Sequence, residues 1–502
     1  KQKIMHTMEE IRMDLKPERV FYYFEEISKI PRASGNTKAV SDYCKDFAEK
    51  HGLKVRQDAW NNVVISKDAS AGREKEKGII IQGHLDMVAE KTSNSTHDFS
   101  KDGLELMTEN GFLTAKNTTL GADDGIAIAI GLALLEDETL SHPHLEAVFT
   151  TDEETGMDGA KNIDLSDVMG NYVLNLDSED EGIMTAGCSG GAKIHTDLNV
   201  QREQKTGTAS ELCVTGLRGG HSGVEIDKGR ANAILLMGRL LKKLRKSCGI
   251  SLISISGGGK DNAIPRECRC RILFHDSTAG ETDAVLKDFE DMVKTEYIIS
   301  DPQIRIEYQL EGEQTEQVLT ETALDYLLFY LNNIPNGVQH YCQELPELPE
   351  TSLNIGIIDS DDTKIHMCTS VRSSVKSRKE QLVEKLQDMA EAAQGTIRVK
   401  GEYPEWSFKS DSELRKTMQE IYHELYGEEM KVDVIHAGLE CGYLLQKKPE
   451  LDIISFGPQM YDIHTTEERL SIASTEKTYR FVRKLIENGI DSAVSKEMRT
   501  DR

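Results

Sequence analysis

Several segments of the sequence place histidine or carboxylate side chains directly after an apolar run. His84 and Asp86 follow the apolar residues of IIIQGHLDMV, and Asp177 follows those of VLNLDSED. The stretch AVFTTDEETG ends its apolar run with the consecutive acids Asp152, Glu153 and Glu154. Adjacent carboxylates repel each other, so such a cluster at the end of a buried segment indicates a positively charged partner.

Two further segments add residues of the same kinds. TTLGADDGIAIA places Asp123 and Asp124 at a glycine-flanked turn that opens a helical pattern, and SFGPQMYDIHTTEERL supplies His464 after another apolar run. Histidine combined with carboxylate suits Zn²⁺, and also Mn²⁺ or Co²⁺. The candidate ligands exceed what one catalytic zinc ion with an open position requires. The sequence therefore predicts two divalent metal ions that share a bridging carboxylate, with Zn²⁺ expected and Mn²⁺ or Co²⁺ as alternatives.

The elements that would carry these residues alternate between strand and helix. The strand-like runs include NNVVISK, GIIIQGH, LEAVFTT and YVLNLDS, and the helical patterns include PERVFYYFEEISKI, TKAVSDYCKDFAEKHG and GIAIAIGLALLED. This alternation predicts an α/β fold with a mixed, mostly parallel sheet flanked by helices. Ligand sites in such sheets lie beyond the carboxyl ends of the strands, where these segments are expected to converge.

The length of the chain and a change of pattern predict more than one domain. With 502 residues, the chain is too long for a single hydrophobic core. After GCSGGAK the sequence continues with the strand patterns ELCVTGL, CRCRILFH and IRIEYQL and with the helical pattern RANAILLMGRLLKKLRK. We therefore expect an α+β domain inserted at 190–385 between the two parts of the first domain, 1–189 and 386–502.

The composition excludes several classes of partner. The formal net charge is −26, and such a surface repels phosphate groups, so neither nucleic acid nor a membrane is expected as a partner. The sequence contains no run of eighteen apolar residues, and its beginning lacks the apolar core of a secretory signal. Nine scattered cysteines fit reduced, mostly buried thiols. Together these features predict a cytoplasmic protein.

The motifs GHLDMV, GADDGIA, TTDEETGMDGA, NLDSED and DIHTTEERL resemble the metal-site motifs of the M20 metallopeptidases. The inserted domain corresponds to the lid or dimerisation domain of that family. The resemblance implies one metal ion on His84 and Asp177, a second on Glu154 and His464, and a bridge through Asp123. It also implies Glu153 as the general base that deprotonates the attacking water, and Asp86 as the acid that orients a ligand. Asp124 is expected to be a neighbour of the site and not a ligand.

Within this family, IPRASGN, GLRGGHSG and IHAGLECG most resemble segments of the aminoacyl-histidine dipeptidases. The expected activity is hydrolysis of Xaa-His and other dipeptides, so the expected partner is a small peptide substrate. A tripeptidase, a carboxypeptidase or an N-acyl amino acid deacylase would use the same centre, and these alternatives stay open. A catalytically dead peptide-binding scaffold is disfavoured, because the base and all the ligands are present.

The resemblance assigns further residues to the substrate, and each also has a purely structural interpretation. Arg372 would bind the substrate carboxylate, or form a salt bridge at the domain boundary; Asn262 would contact substrate, or form a turn. His436 and Glu440 belong to a substrate-side motif, although His436 could equally be a packed residue. His221 lies in a glycine-rich turn. In M20 dimers a lid histidine reaches the active site of the partner subunit, so we expect a homodimer through the inserted domain with His221 in that role.

Overall fold

The fold is that of a computed structural model in which residues 15–275 and 279–490 are described. The chain divides into two compact units. The first unit runs to Gly187, includes Phe408–Val434 and resumes at Leu439. The second unit comprises Cys188–Ser407 and Ile435–Gly438.

The strands, in chain order, are β1 (Lys54–Gln57), β2 (Val63–Lys67), β3 (Ile79–His84), β4 (Leu106–Glu109), β5 (Phe112–Ala115), β6 (Leu145–Thr150), β7 (Tyr172–Asn175), β8 (Ile183–Cys188), β9 (Gly190–Asn199), β10 (Arg202–Thr215), β11 (Gly220–His221), β12 (Ile250–Gly257), β13 (Ala263–Ile264), β14 (Cys268–Phe274), β15 (Arg305–Leu319), β16 (Gly337–Tyr341), β17 (Pro349–Ser360), β18 (Lys364–Ser373), β19 (Gly395–Tyr403), β20 (Lys431–Ile435), β21 (Asp452–Ser455), β22 (Met460–Tyr461) and β23 (Arg469–Ser471). The helices are α1 (Glu18–Ser28), α2 (Lys38–Lys50), α3 (Ala122–Glu136), α4 (Glu153–Gly156), α5 (Asp158–Asn162), α6 (Ala233–Cys248), α7 (Ala279–Glu296), α8 (Glu321–Asn333), α9 (Lys376–Ala392), α10 (Glu413–Tyr426), α11 (Cys441–Lys447) and α12 (Ile472–Asn488).

The first unit is built on an eight-stranded sheet with the order β1-β2-β6-β3-β7-β21-β8-β20. Its central strands β6, β3, β7 and β21 run parallel, whereas β1, β2 and β8 pair antiparallel with their neighbours. The predicted mixed sheet is confirmed, with its parallel part at the centre. Because parallel strands end at one edge, the residues that follow β3, β6 and β7 come together there.

Helix α3 lies in the core of the first unit. Every residue from Ala122 to Leu135 is buried, which agrees with the continuous apolar pattern of its sequence. Its side chains belong to the same core as Ile81 of β3 and Phe149 of β6. The beginning of α3 is therefore held close to the ends of the central strands.

The second unit is built on a nine-stranded sheet. Eight strands follow the order β15-β10-β14-β12-β17-β18-β9-β19, and β16 pairs with β17. Residues of α6, α7, α8 and α9 share one hydrophobic core with this sheet. The unit extends beyond residue 385, where the sequence suggested its end, because β19 pairs with β9.

All nine cysteines are buried, and none of them forms a disulfide bond. Among the described residues, no helix has the length and apolar character needed to cross a membrane.

Candidate metal centre

His84 is the last residue of β3, and its ring is fixed by Asp86. His84 Nδ1 lies 3.3 Å from Asp86 Oδ1 and 3.2 Å from the Asp86 carbonyl oxygen. A proton on Nδ1 satisfies both contacts and leaves Nε2 with a free lone pair. A carboxylate that holds one nitrogen of a histidine in this way orients the other for a metal ion.

Asp86 also joins the two glutamates of TTDEETG to β3. It accepts hydrogen bonds from Ser34 Oγ at 2.7 Å, from the Glu153 N–H at 3.1 Å and from the Glu154 N–H at 3.3 Å. Burial favours the neutral acid, but the contact with His84 and these hydrogen bonds outweigh it and lower the pKa of Asp86. Asp86 is therefore an anion that holds several parts of the centre together, in the position expected of the orienting acid.

Asp123 faces both histidines, one with each carboxylate oxygen. Its Oδ1 lies 3.2 Å from His84 Nε2, and its Oδ2 lies 3.0 Å from His464 Nε2. Asp177 Oδ1 lies 3.5 Å from the same nitrogen of His84, and Glu154 Oε1 lies 3.1 Å from His464 Nε2. The five predicted ligands therefore form two groups that share Asp123.

The donor atoms of these groups fit metal ions. In His84, Asp123 and Asp177, and again in Asp123, Glu154 and His464, the potential ligand atoms lie within 4.8 Å of one another. Tetrahedral ligands with bonds of about 2.0–2.2 Å lie roughly 3.3–3.6 Å apart, close to the separations found here. Burial raises the pKa of Asp177 to about 8, and neighbouring Asp123 adds to this effect. Positive ions would offset the cost of burying these carboxylates.

The segment after β6 explains how adjacent glutamates enter one site. Asp152 has a left-handed φ of 56°, and the helical turn α4 starts at the next residue. The turn carries Glu153 and Glu154 out of the strand, where consecutive side chains would point to opposite faces. Glu153 also has a ligand atom within 4.8 Å of His84 and Glu154. Burial raises the pKa of Glu153 well above its usual value.

Asp124 binds the backbone of His84 and not its ring. Its side chain is fully buried, and its Oδ2 accepts a hydrogen bond from the His84 N–H at 3.3 Å. Gly83 makes room for it, since a Cβ at Gly83 would lie 2.4 Å from Asp124 Oδ2. Asp124 belongs to none of the ligand groups found among the described residues.

Glu440 contacts side chains near the carboxyl ends of β3 and β6. Its Oε2 accepts hydrogen bonds from Gln82 Nε2 at 2.7 Å and from Thr150 Oγ1 at 2.5 Å, and its side chain has no exposed surface. These contacts favour a supporting role. The predicted contact with substrate stays a prediction.

The other predicted substrate residues come together in the second unit, around Gly223. A Cβ at Gly223 would lie 2.4 Å from the carbonyl oxygen of His436, 2.9 Å from His221 Cε1 and 3.1 Å from Arg372 Nε. Asn262 accepts, through its carbonyl oxygen, a hydrogen bond from the N–H of Ser222 at 2.9 Å. Four residues drawn from separate parts of the sequence are thus neighbours.

Arg372 and His436 are both buried in this cluster. Arg372 Nη1 donates to the Tyr403 hydroxyl at 2.7 Å, while its Nε has no hydrogen-bond partner among the described residues. The contact identifies Tyr403 as a residue that the sequence analysis missed. His436 Nε2 lies 2.7 Å from Ser352 Oγ. Burial, with Arg372 nearby, lowers the pKa of His436 to about 3, so this ring is neutral.

His221 is held as a neutral ring with a defined tautomer. Its Nδ1 accepts hydrogen bonds from the N–H groups of Gly223 and Val224, at 3.1 and 3.2 Å. Nδ1 therefore carries no proton, and the neutral ring has its proton on Nε2. Burial and the nearby Arg372 lower the pKa of His221, which favours this neutral form. His221 thus presents an N–H donor at Nε2.

Comparison with known proteins identifies the family. Residues 80–488 match the model of Peptidase family M20/M25/M40. The chain belongs to this peptidase family. The M20 membership predicted from the motifs is thereby confirmed.

The M20 chain is similar to curated and solved proteins along most of its length. It is 32% identical over 475 residues to the cytosol non-specific dipeptidase of Escherichia coli (strain K12), covering 94% of this chain and 98% of that protein. The crystal structure of aminoacylhistidine dipeptidase from Vibrio alginolyticus matches with a TM-score of 0.91 and 33% identity, covering 97% of this chain and 100% of the other. The aminopeptidase PepT of Bacillus cereus shares the fold at 15% identity, with a TM-score of 0.55 and coverage of 94% and 98%.

The placement of Asp123 predicts different effects for two adjacent aspartates. We expect Asp123→Asn to lower the metal content from two ions per chain to about one or fewer, because a shared carboxylate contributes to both sites. Asp124→Asn, which makes the same substitution at the next residue, should keep both ions because Asp124 belongs to no ligand group among the described residues. The measurement is metal analysis of each variant after dialysis. Two retained ions in Asp123→Asn would remove Asp123 from the bridging role.

Proposed function

We propose that the protein is a dinuclear metal-dependent dipeptidase that hydrolyses Xaa-His and other dipeptides in the cytoplasm. The observation that carries this proposal is the Asp123 carboxylate, which faces His84 with one oxygen and His464 with the other. Membership of the M20 family and the similarity to two dipeptidases over nearly the whole chain support it.

In this proposal each residue of the two ligand groups has a role. His84 and Asp177 would hold one ion, Glu154 and His464 the other, and Asp123 would hold both. Nitrogen and carboxylate donors of this kind suit Zn²⁺. Bound there, the ions would supply Lewis-acid activation of water and of the scissile carbonyl group.

Glu153 is the proposed general base. Its N–H is bound by Asp86, and its side chain lies beside His84 and Glu154 without being needed in either ligand group. Glu153 accepts a proton from the attacking water as the C–O bond forms. It then returns this proton to the amine nitrogen as the peptide C–N bond breaks, so the carboxylate is regenerated.

The cluster in the second unit supplies groups for recognition. Arg372 would bind the C-terminal carboxylate of a dipeptide, since a guanidinium group matches a carboxylate with two hydrogen bonds. The Tyr403 hydroxyl holds one end of that guanidinium group. The Nε2–H of His221 is a donor suited to the oxyanion that develops on the scissile carbonyl. Asn262 and His436 complete the proposed substrate residues.

A substrate screen tests the proposed class. We expect Ala-His and Leu-Gly to be hydrolysed with kcat/KM at least about tenfold above Ala-Ala-Ala or N-acetyl-Met, because the two proteins that are similar over nearly the whole chain are dipeptidases. Protein of measured metal content is compared with the same protein after chelation and after addition of Zn²⁺, Mn²⁺ or Co²⁺. A preference for the tripeptide would indicate a tripeptidase instead of a dipeptidase, and a preference for the N-acyl amino acid would indicate a deacylase.

Glu153→Gln separates catalysis from metal binding. The variant should keep both ions but lose about a hundredfold to ten-thousandfold in kcat, because an amide cannot accept the proton of water at neutral pH. Metal analysis and dipeptide hydrolysis are measured on the same preparation. Near-normal turnover with both ions bound would show that another group is the base.

The proposal also includes a homodimer formed through the second unit, in which His221 serves the active site of the other subunit. His221→Ala and Glu153→Gln should each be inactive alone. A mixed dimer then has one site with both defects and one intact site, so mixing should restore about half of the wild-type activity per mixed dimer. Subunit exchange is verified with two affinity tags. No recovery in the purified mixed dimer would refute action across the dimer.

A further inference from the structure

Glu468 is a buried carboxylate that binds the turn carrying Asp123. Its Oε2 accepts hydrogen bonds from the N–H groups of Leu120 and Gly121 at 2.7 and 2.9 Å. Its Oε1 accepts them from Ala122 at 2.8 Å and from Asp123 at 3.4 Å. Only 3% of Glu468 is exposed, so water does not compete for these amides.

The N–H groups of this turn need an acceptor outside the helix, because the backbone around Asp123 does not have helical φ/ψ values. Gly121 has a φ of 65°, and Asp123 and Asp124 have φ/ψ values of −79°/107° and −113°/35°. The amides at the start of a helix have no carbonyl partners within the helix. A carboxylate provides enough lone pairs for all of them and carries the charge that a helix beginning favours.

Arg32 holds the same turn from another direction. It is fully buried and donates from Nη1 to the carbonyl oxygens of Leu85 and Asp86, at 3.0 and 2.9 Å, and from Nη2 to that of Gly121. A Cβ at Gly121 would lie 2.6 Å from Arg32 Nη2. The turn is therefore fixed through its N–H groups by Glu468 and through a carbonyl group by Arg32.

The segment that contains Glu468 also supplies His464. The Glu468 N–H donates to the Thr465 carbonyl oxygen at 3.2 Å, which closes the short turn between the two residues. His464 Nε2 in turn lies 3.0 Å from Asp123 Oδ2. The segment from His464 to Glu468 thus contacts Asp123 twice. The His464 ring lies against the Asp123 side chain, and the Glu468 carboxylate binds the Asp123 N–H group.

We propose that Glu468 is a positioning residue for the bridging carboxylate. By fixing the backbone from Leu120 to Asp123, it directs one oxygen of Asp123 toward His84 and leaves the other facing His464. The role rests on the dinuclear centre proposed above, but it concerns metal affinity and not the choice of substrate. Glu468 itself touches neither metal nor substrate in this role.

Glutamine cannot replace Glu468 in these contacts. One oxygen of the carboxylate would become an NH₂ group, which would face amide N–H groups as donor against donor. Loss of a residue that orients metal ligands costs about 10–100-fold in metal affinity. Glu467 provides a matched control, because it is the neighbouring glutamate and its side chain is exposed.

The experiment titrates Co²⁺ into the metal-free full-length protein and records visible absorption and binding heat. We expect Glu468→Gln to bind Co²⁺ at least tenfold more weakly than wild type, with altered absorption bands, and Glu467→Gln to match wild type. Glu468→Asp, which keeps both oxygens on a shorter chain, should recover part of the affinity. Thermal unfolding of the metal-free proteins is measured in parallel, because a purely structural role would lower stability and leave the affinity of the folded protein unchanged.

Wild-type affinity and spectrum in folded Glu468→Gln would overturn the proposal. If Glu468→Gln does not fold, Glu468→Asp decides: weakened Co²⁺ binding in the folded protein supports the positioning role, and unchanged binding refutes it. A wild-type protein that binds two Co²⁺ ions but cleaves no dipeptide would contradict the proposed activity while leaving this test intact.

Discussion

The concentration of negative charge around Asp123 is the constraint on which the rest of the first unit depends. Asp123, Glu154 and Asp177 have little exposed surface. Asp123 and Asp177 both lie within 3.5 Å of His84 Nε2, and Asp123 and Glu154 both lie within 3.1 Å of His464 Nε2. Carboxylates in such surroundings are costly unless positive charge compensates them. Two divalent ions would provide that charge, and the shared carboxylate would keep them close together.

The surrounding structure holds these groups in place through backbone contacts. The parallel strands β3, β6 and β7 end at one edge, and Asp86 binds the glutamates after β6 to the histidine after β3. Arg32 and Glu468 fix the turn before α3 in the same manner. The centre is thus preorganised by charged side chains that bind main-chain atoms, in addition to its ligands.

Much of this arrangement was predictable from the sequence. The apolar runs before His84, Asp152 and Asp177 predicted buried strands with acids or histidine at their ends, and the structure contains those strands as β3, β6 and β7. Arg32 and Glu468 lie in segments that the sequence analysis quoted, yet their roles escaped it. A charged residue in a sequence looks like a surface residue, and only the tertiary structure shows that it is buried against backbone groups. Tyr403 was missed for a related reason, because its contact with Arg372 depends on the packing of β19.

The order of the segments has a consequence for biosynthesis. β21 pairs with β7 near the middle of the first sheet, yet it is Asp452–Ser455, and His464 and Glu468 follow it. All but four residues of the second unit precede Phe408 in the chain. During translation, the second unit is therefore almost complete before the ribosome has made the strand that completes the parallel part of the first sheet. Chains arrested before residue 464 lack the histidine that faces Asp123 Oδ2, so only longer polypeptides could form both ligand groups of the proposed centre.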